Sequence, residues 1–406
     1  MNNLKINEHR LWRHLTELGN IGRDERGVSR VAFTEADMEG RKWFLHKMEQ
    51  AGLETRMDEV GNVFGITPYE SRKRILVGSH LDTVPEGGMF DGALGVVAAL
   101  ECAQTLIERN VKMGYGLEIV GFSNEEGAIF GPGLLGSRYF VEGIGDDEIQ
   151  VLEPILKRAG LEGFSDSSTG GKFDKDNYVC YLELHVEQGG VLYCNEDDIG
   201  VVQGIVAIYS SDIVFEGKPN HAGTTPMDQR EDALLGAANM IVLIPKLVAQ
   251  NGSKGTVGTC GQIRVYPCAR NVIPGRAELS VEIRDLDDEV ADRVMRETYS
   301  HAETIADACR LRVHSGEVSI SPPALMDTEI QQIIHNSAVD LGLKVRLMPS
   351  GAGHDAAIFA KYLPTGMIFV PSKDGVSHSP EEWTNPQDCA NGANVLLKTI
   401  LKIDRV

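Results

Sequence analysis

Apolar positions along this chain follow first a helical period, then short unbroken runs. Ile6, Leu11, Trp12, Leu15 and Leu18 sit near helical spacing across residues 5–18, and a second helix is expected over 35–51, ended by Gly52. Residues 59–66 predict a hairpin-like strand pair turning at Gly61-Asn62. Arg74-Ile-Leu-Val, short, apolar and β-branched, predicts a buried strand, and the Ala- and Leu-rich run from Ala93 predicts a buried helix. Leu117-Glu-Ile-Val-Gly-Phe, Tyr178-Val-Cys-Tyr-Leu-Glu-Leu and Gly366-Met-Ile-Phe-Val predict further core strands, with helices around 149–159, 329–341 and 391–403. Strands alternating with helices predict an α/β fold, a mixed and mostly parallel sheet with helices on both faces.

The texture changes near Tyr209. A strand at 212–216, a helix at 231–248, strands at 255–265 and 277–284, a helix at 287–308 and a strand at 311–314 give the order β-α-β-β-α-β. That is the split ferredoxin-like arrangement. Residues 209–323 are therefore expected to form an inserted α+β domain, and 1–208 with 324–406 the first domain.

The core strands end in unusual residues. Gly78-Ser-His-Leu-Asp-Thr-Val-Pro follows the Arg74 strand and closes at Phe90-Asp91-Gly92. The Leu117 strand ends in Ser123-Asn-Glu125-Glu126, the Tyr178 strand delivers His185-Val-Glu187-Gln188-Gly, and the Gly366 strand runs into a loop carrying His378. Open α/β sheets hold ligands beyond the carboxyl ends of their strands. His80, Asp91, Glu125, Glu126, His185 and His378 together supply enough imidazoles and carboxylates for two divalent cations that share a carboxylate. Imidazole with carboxylate and no thiolate suits zinc first, and also manganese, cobalt or nickel. Asp82 is expected to orient His80 from behind. Each segment also has a plainer reading: Asp91 as a helix cap, and Glu125-Glu126 as a solvated turn. Gly131-Pro-Gly-Leu-Leu-Gly136 fits the GxGxxG pattern but does not directly follow a strand, and Pro132 lacks an amide, so it reads as a tight turn.

Composition narrows the function classes. A net charge of -20 over 406 residues argues against a nucleic-acid or anionic-membrane surface, and 42% hydrophobic residues argue for a real core. No apolar run reaches about 18 residues, so no membrane span is expected, and the N-terminus lacks the apolar core of a signal peptide. The seven cysteines contain no CxxC pair; they fit a reducing cytoplasm, most of them as small buried apolar residues.

Taken on residues alone, four more positions have local explanations. His221 lies in a Gly/Thr/Pro turn, Arg284 sits late in a strand where an edge ion pair is expected, Asn271 precedes a Pro-Gly turn it could cap, and His354-Asp355 reads as a helix N-cap.

The chain resembles the M20-type metallopeptidases and amidohydrolases, and more narrowly the hydantoinase/carbamoylase branch: N-carbamoyl-L-amino-acid hydrolases, β-ureidopropionases and allantoate amidohydrolases. The resemblance runs over nearly the whole chain and is carried by GSHLDTVPEGGMFDG, FSNEEGAIFGPGLLGSR, LELHVEQG, KPNHAGTTPM, RNVIPG followed by EIRDLD, SGAGHDA and VPSKDGVSHSPEEW, in that order. It implies a di-metal exopeptidase-like catalytic domain with a lid that also makes a homodimer. His80, Asp91, Glu126, His185 and His378 would be the ligands of two divalent metal ions per subunit, with Asp91 bridging. Glu125 would be the general base, Asp82 the partner of His80, and His221 the oxyanion donor, acting in the partner subunit's site. Asn271 and Arg284 would hold the substrate. The implied reaction is hydrolysis of an N-carbamoyl-L-amino acid to the amino acid, ammonia and carbon dioxide. Alternatives are a β-ureidopropionase, allantoate or other ureido-acid hydrolysis, an aminoacylase or dipeptidase activity, or an idle homologue. Ile208-Tyr209, where a ureido-rich substrate would favour a polar pair, lean away from allantoate.

Overall fold

The computed structural model describes residues 4–405 except 70, 130, 132 and 162–172; Pro132 therefore lies outside the described residues. The chain divides into two compact units, residues 1–203 with 325–406, and residues 204–324.

The first unit is built on a nine-stranded sheet. At its centre Thr365–Val370, Tyr178–Val186, Arg74–His80 and Gly116–Phe122 run parallel, in that order. Antiparallel strands flank them: Ile199–Ile205 beside Thr365–Val370, and Val63–Ile66 followed by Glu54–Met57 beyond Gly116–Phe122. The hairpin expected near Gly61 is this last pair, its first strand lying earlier than the pattern suggested; Gly61 turns with φ +83°. Ile199–Ile205 and Val345–Ser350 are the longest of the strands that had no counterpart in the sequence expectation.

The four parallel strands are apolar on both faces because both are covered. Ile75, Val77, Leu117, Ile119, Cys180, Leu182 and Leu184 join one buried cluster with helices Glu8–Asn20, Glu35–Gln50, Ala93–Glu108, Thr328–Val339 and Pro386–Ile403. Each such aliphatic side chain contributes roughly 1.5–3 kcal/mol on burial. Residues of opposite parity face the other side, where Phe359 stacks on Tyr181 with centroids 4.2 Å apart and lies 5.6 Å from Phe122. Helix Ala93–Glu108 lies close on the sheet because Gly95 has no Cβ: one placed there would stand 2.2 Å from the Leu184 carbonyl oxygen.

The parallel register fixes where the polar strand ends meet. His80 pairs with Phe122, and His185 with Phe369, so the loops after all four strands leave from one edge of the sheet.

The second unit has an antiparallel sheet in the order Val257–Thr259, Arg276–Asp285, Ala207–Glu216, Arg312–Ser315, with Ile263–Tyr266 also on Arg276–Asp285 and Ser319–Ser321 on Ala207–Glu216. The single strand expected at 255–265 is broken in two at Cys260–Gln262, where the Gln262 amide turns to the Ser280 hydroxyl. Helices Ala233–Asn251 and Asp288–Cys309 share the sheet's core. Ala233–Asn251 is long and apolar enough to cross a membrane by length and composition, with mean hydropathy 1.6. Ala233, Ala237, Met240, Ile244 and Leu247 are nevertheless packed in the core of this unit.

All seven cysteines are free, and only Cys102, Cys180 and Cys389 are buried. The expectation that most would be buried fails because the other four stand on the exposed helix Val191–Asn195 and at strand and helix ends of the second unit.

Candidate metal centre

Asp91 is the middle of the site. Its Oδ1 stands 3.2 Å from His80 Nε2 and 3.3 Å from His185 Nε2, which are themselves 3.5 Å apart. Its Oδ2 stands 3.5 Å from His378 Nε2, which is 3.3 Å from Glu126 Oε2. Two triads thus share one carboxylate: His80-Asp91-His185 and Asp91-Glu126-His378. Glu125 Oε2 lies 3.7 Å from His80 Nε2. These separations fit a divalent cation in each triad, because ligand atoms about 2.0–2.1 Å from a tetrahedral ion stand about 3.3 Å from one another.

The imidazoles are aimed by backbone carbonyls. His80 Nδ1 donates to the Asp82 carbonyl and His185 Nδ1 to the Val186 carbonyl, both at 2.9 Å, which turns each Nε2 toward Asp91; His185 Nε2 also accepts the Gly92 amide at 3.1 Å. Asp82 meets His80 through its carbonyl; its carboxylate accepts the amides of Glu125 (3.2 Å) and Glu126 (3.3 Å) and so shapes the acidic turn. Asp91 is no helix cap: the N-cap of Ala93–Glu108 is Gly92, without a side-chain bond.

Five non-glycine residues described in these loops, Glu86, Asn124, Gln188, Asp374 and His378, hold positive φ of 50–60°. Such conformations cost of order 1–3 kcal/mol each and collect where the surroundings over-determine them, as at binding sites. Gly92, at φ +63°, leaves room for the imidazole of His80: a Cβ there would lie 2.4 Å from the ring.

The electrostatics follow from burying many acids with few bases. Burial drives the Glu125 carboxyl well above the ordinary range, with His80 opposing and Asp355, Glu126 and Asp82 adding to it. Burial likewise pushes Glu126 up to about 7 against the pull of His80. For Asp91 burial is overcome by His185, His378 and His80, which hold it well below the usual range. His378, bonded to Asp91, is pushed up to about 9. A cluster of desolvated carboxylates facing imidazole nitrogens is the electrostatic ground a cation would neutralise.

Several residues the sequence did not single out touch this centre. Gln188 donates to Asp91 Oδ2 at 2.8 Å, and the Ser377 hydroxyl lies 2.9 Å from both Asp91 Oδ2 and Glu382 Oε2. Glu382, buried, accepts the amides of Phe90 (2.9 Å) and Asp91 (3.2 Å). Glu183 accepts from Ser79 and from the Ala356 amide, so it caps the helix Ala356–Phe359. Its signal was present: an acid inside a buried strand, two residues before His185 and on the same face. Asp355 is the N-cap residue of that helix, as expected, but its side chain makes no cap bond; it accepts the Ser137 hydroxyl at 2.6 Å, while the His354 ring meets that of His185 edge-on with centroids 4.5 Å apart. At the end of the stretch read as a tight turn, the amides of Leu134 and Gly136 hold the carbonyls of Glu125 and Ser123.

His221, Asn271 and Arg284 belong to the second unit. Asn220–His221 pairs with Val272–Ile273, and the Ala222 amide donates to the Asn271 carbonyl, so His221 and Asn271 are neighbours. His221 Nδ1 accepts the amides of Gly223 and Thr224 at 3.0 and 3.2 Å, which places the ring proton on Nε2. Arg284 stands on the larger sheet between Val257 and Ile208 and is ion-paired with Glu282 at 2.8 Å.

Residues 76–402 match the sequence profile of Peptidase family M20/M25/M40. An N-carbamoyl-L-amino acid amidohydrolase of Geobacillus stearothermophilus is 38% identical over 408 residues, 98% of this chain and 99% of that one. A ureidoglycolate hydrolase of Arabidopsis thaliana is 35% identical over 392 residues, 93% of this chain and 82% of that one. Among solved structures, a hydantoinase/carbamoylase family amidase from Burkholderia ambifaria superposes with a TM-score of 0.91 at 35% identity, covering 98% of both chains. The chain therefore belongs to peptidase family M20/M25/M40, in its hydantoinase/carbamoylase branch of hydrolases that act on linear carbon–nitrogen bonds.

Proposed function

We propose that this protein is a metal-dependent N-carbamoyl-L-amino-acid amidohydrolase, releasing the amino acid, ammonia and carbon dioxide. The observation that carries the metal dependence is the sharing of Asp91 between two histidine-containing triads at tetrahedral ligand spacing. Full-length similarity to carbamoyl-amino-acid amidohydrolases supports the substrate class. Two divalent cations, zinc or alternatively manganese, cobalt or nickel, would be held by His80, Asp91, Glu126, His185 and His378 and would supply a Lewis acid and a nucleophilic hydroxide at neutral pH.

The remaining steps fall to the chain's own groups. Glu125, beside the shared carboxylate but in neither Asp91 triad, takes the proton of the attacking water and passes it to the leaving nitrogen. His221, with its proton on Nε2, donates to the developing oxyanion, from the partner subunit in a homodimer. Asn271 and Arg284 hold the substrate carboxylate, for which the planar guanidinium is suited. The second unit acts as lid and dimerisation domain. Leu235 and Val242 stay 52% and 64% exposed on helix Ala233–Asn251, apolar surface that a second copy would cover. The free thiols fit a reducing cytoplasm.

A second reading, hydrolysis of ureidoglycolate or another ureido acid, is supported by the plant relative. Ammonia release by metal-loaded protein separates them, across N-carbamoyl-L-amino acids, β-ureidopropionate, allantoate, ureidoglycolate, N-acetyl amino acids and dipeptides. Chelator-sensitive release from an N-carbamoyl-L-amino acid, absent with its D-enantiomer, is expected. Turnover only of ureidoglycolate or allantoate would install the second reading, and turnover only of acetyl or peptide substrates would overturn both.

A further inference from the structure

Arg30 is fully buried, yet among the described residues its guanidinium makes no bond to a carboxylate. Nε donates to the Leu81 carbonyl at 2.7 Å; Nη1 donates to the carbonyls of Leu18 (3.0 Å) and Ile21 (3.3 Å); Nη2 is buried without a partner. The backbone of Arg30 is tied to the same turn, its amide donating to Thr83 Oγ1 at 2.9 Å and its carbonyl accepting the Thr83 amide at 3.1 Å. Room for the stem is made by Gly40, in the middle of Glu35–Gln50, where a Cβ would lie 2.7 Å from Arg30 Cδ. A cation bonded only to carbonyls is an expensive way to fill an interior, and a glycine inside a helix adds to the cost.

What Arg30 holds is the turn on which both halves of the candidate centre depend. Leu81 lies between His80 and Asp82. The Asp82 carbonyl fixes the His80 ring, and the Asp82 carboxylate fixes the amides of Glu125 and Glu126. Rotation of the peptide at Leu81 would disturb the imidazole and the acid pair together.

We propose that Arg30 is a positioning residue of the hydrolytic centre: its grip on the Leu81 carbonyl sets the direction of the His80 imidazole and of the Glu125-Glu126 turn. The proposal rests on the metal-hydrolase reading above for its effect on turnover, though not for its effect on His80.

Arg41 supplies a control. It is equally buried, but it bonds Asp37 and the Gly61 carbonyl rather than the His80 turn. Arg30→Met, Arg30→Lys and Arg41→Met would be compared for zinc affinity of the stripped protein, for kcat and KM, and for the Nδ1 proton of His80 by histidine-selective ¹⁵N NMR. Arg30→Met is expected to weaken zinc binding about 10–100-fold and to lower kcat with little change in KM. It is also expected to lose the single Nδ1–H tautomer of His80. Arg30→Lys should fall between it and wild type, since an ammonium keeps the charge but not the fork. Arg41→Met should lower Tm while keeping zinc affinity and the His80 signal. Equal losses in Arg30→Met and Arg41→Met at matched Tm, or wild-type values in Arg30→Met, would overturn the proposal. Should Arg30→Met fail to fold, wild-type zinc affinity and His80 signal in Arg30→Lys would overturn it. Should wild-type protein take no zinc and turn over nothing, the functional reading falls, and the His80 signal alone still decides the role of Arg30.

Discussion

Asp91 Oδ1 and His80 Nε2 stand 3.2 Å apart, while the other oxygen of the same carboxylate faces His378. Removing this one side chain takes a ligand from both triads. Asp91→Ala should therefore abolish tight binding of both metals, whereas His378→Ala should spare the His80-His185 triad. Metal content by mass spectrometry after gel filtration checks this: near zero per chain for Asp91→Ala, and about one for His378→Ala. Two metals retained by Asp91→Ala would show that the carboxylate is not shared.

Glu125 sits in the same desolvated cluster, but Glu126 rather than Glu125 completes the His378 triad. Glu125→Gln should keep both metals and lose roughly 10²–10⁴-fold in kcat. Single-turnover kinetics on the metal-replete variant give the test. Near-normal turnover would remove the proposed proton-transfer role.

Arg284→Ala should raise KM for carboxylate-bearing substrates about 10–100-fold with a smaller change in kcat, the scale of a lost charge-assisted bond. An unchanged KM would assign the carboxylate to another group.

Gly92→Ala places a methyl group 2.4 Å from the His80 ring on a backbone at φ +63°. The imidazole must then move. Metal at the His80-His185 triad and activity should both fall, while the Asp91-Glu126-His378 triad keeps part of its affinity; isothermal titration of stripped protein with zinc reads the two sites separately.

His14 gives a pH prediction away from the centre. Burial, helped by Lys47 and opposed by Glu17, lowers its pKa from 6.5 to about 4. The native state therefore resists a proton that the unfolded chain accepts near 6.5. Its contribution to stability is fully present above pH 6.5 and is lost as the pH falls toward 4. Urea unfolding between pH 7 and pH 4 should show this loss, and His14→Gln should flatten it.

Much of this arrangement could be read from residue patterns, for reasons that lie in particular segments. Apolar strands that end in His80, Glu125 and His185 violate strand preference at one edge, and the parallel register that joins those ends follows from the helices between them. Patterning names residues but not atoms. It pointed to Asp82 without separating its carbonyl, which orients His80, from its carboxylate, which caps the acidic turn. Ser377 and Glu382 lie in a loop without periodicity, and their contacts to Asp91 span 286 and 291 residues of chain, distances over which local preference carries no information. Arg30 was hidden for a similar reason: an isolated arginine reads as a surface residue until its burial is known.

The place of Thr365–Val370 inside the sheet, between Tyr178–Val186 and Ile199–Ile205, bears on biosynthesis. All the other strands of the parallel core, and the whole of residues 204–324, leave the ribosome before this strand does. Until it emerges, Tyr178–Val186 offers an unpaired backbone edge beside three of the four imidazole- or acid-bearing loops. A nascent chain in that state is a template for strand addition by a neighbour. Insertion of one late strand thus both closes the edge and brings His378 to Asp91, so that assembly of the centre waits for this strand and the loop behind it.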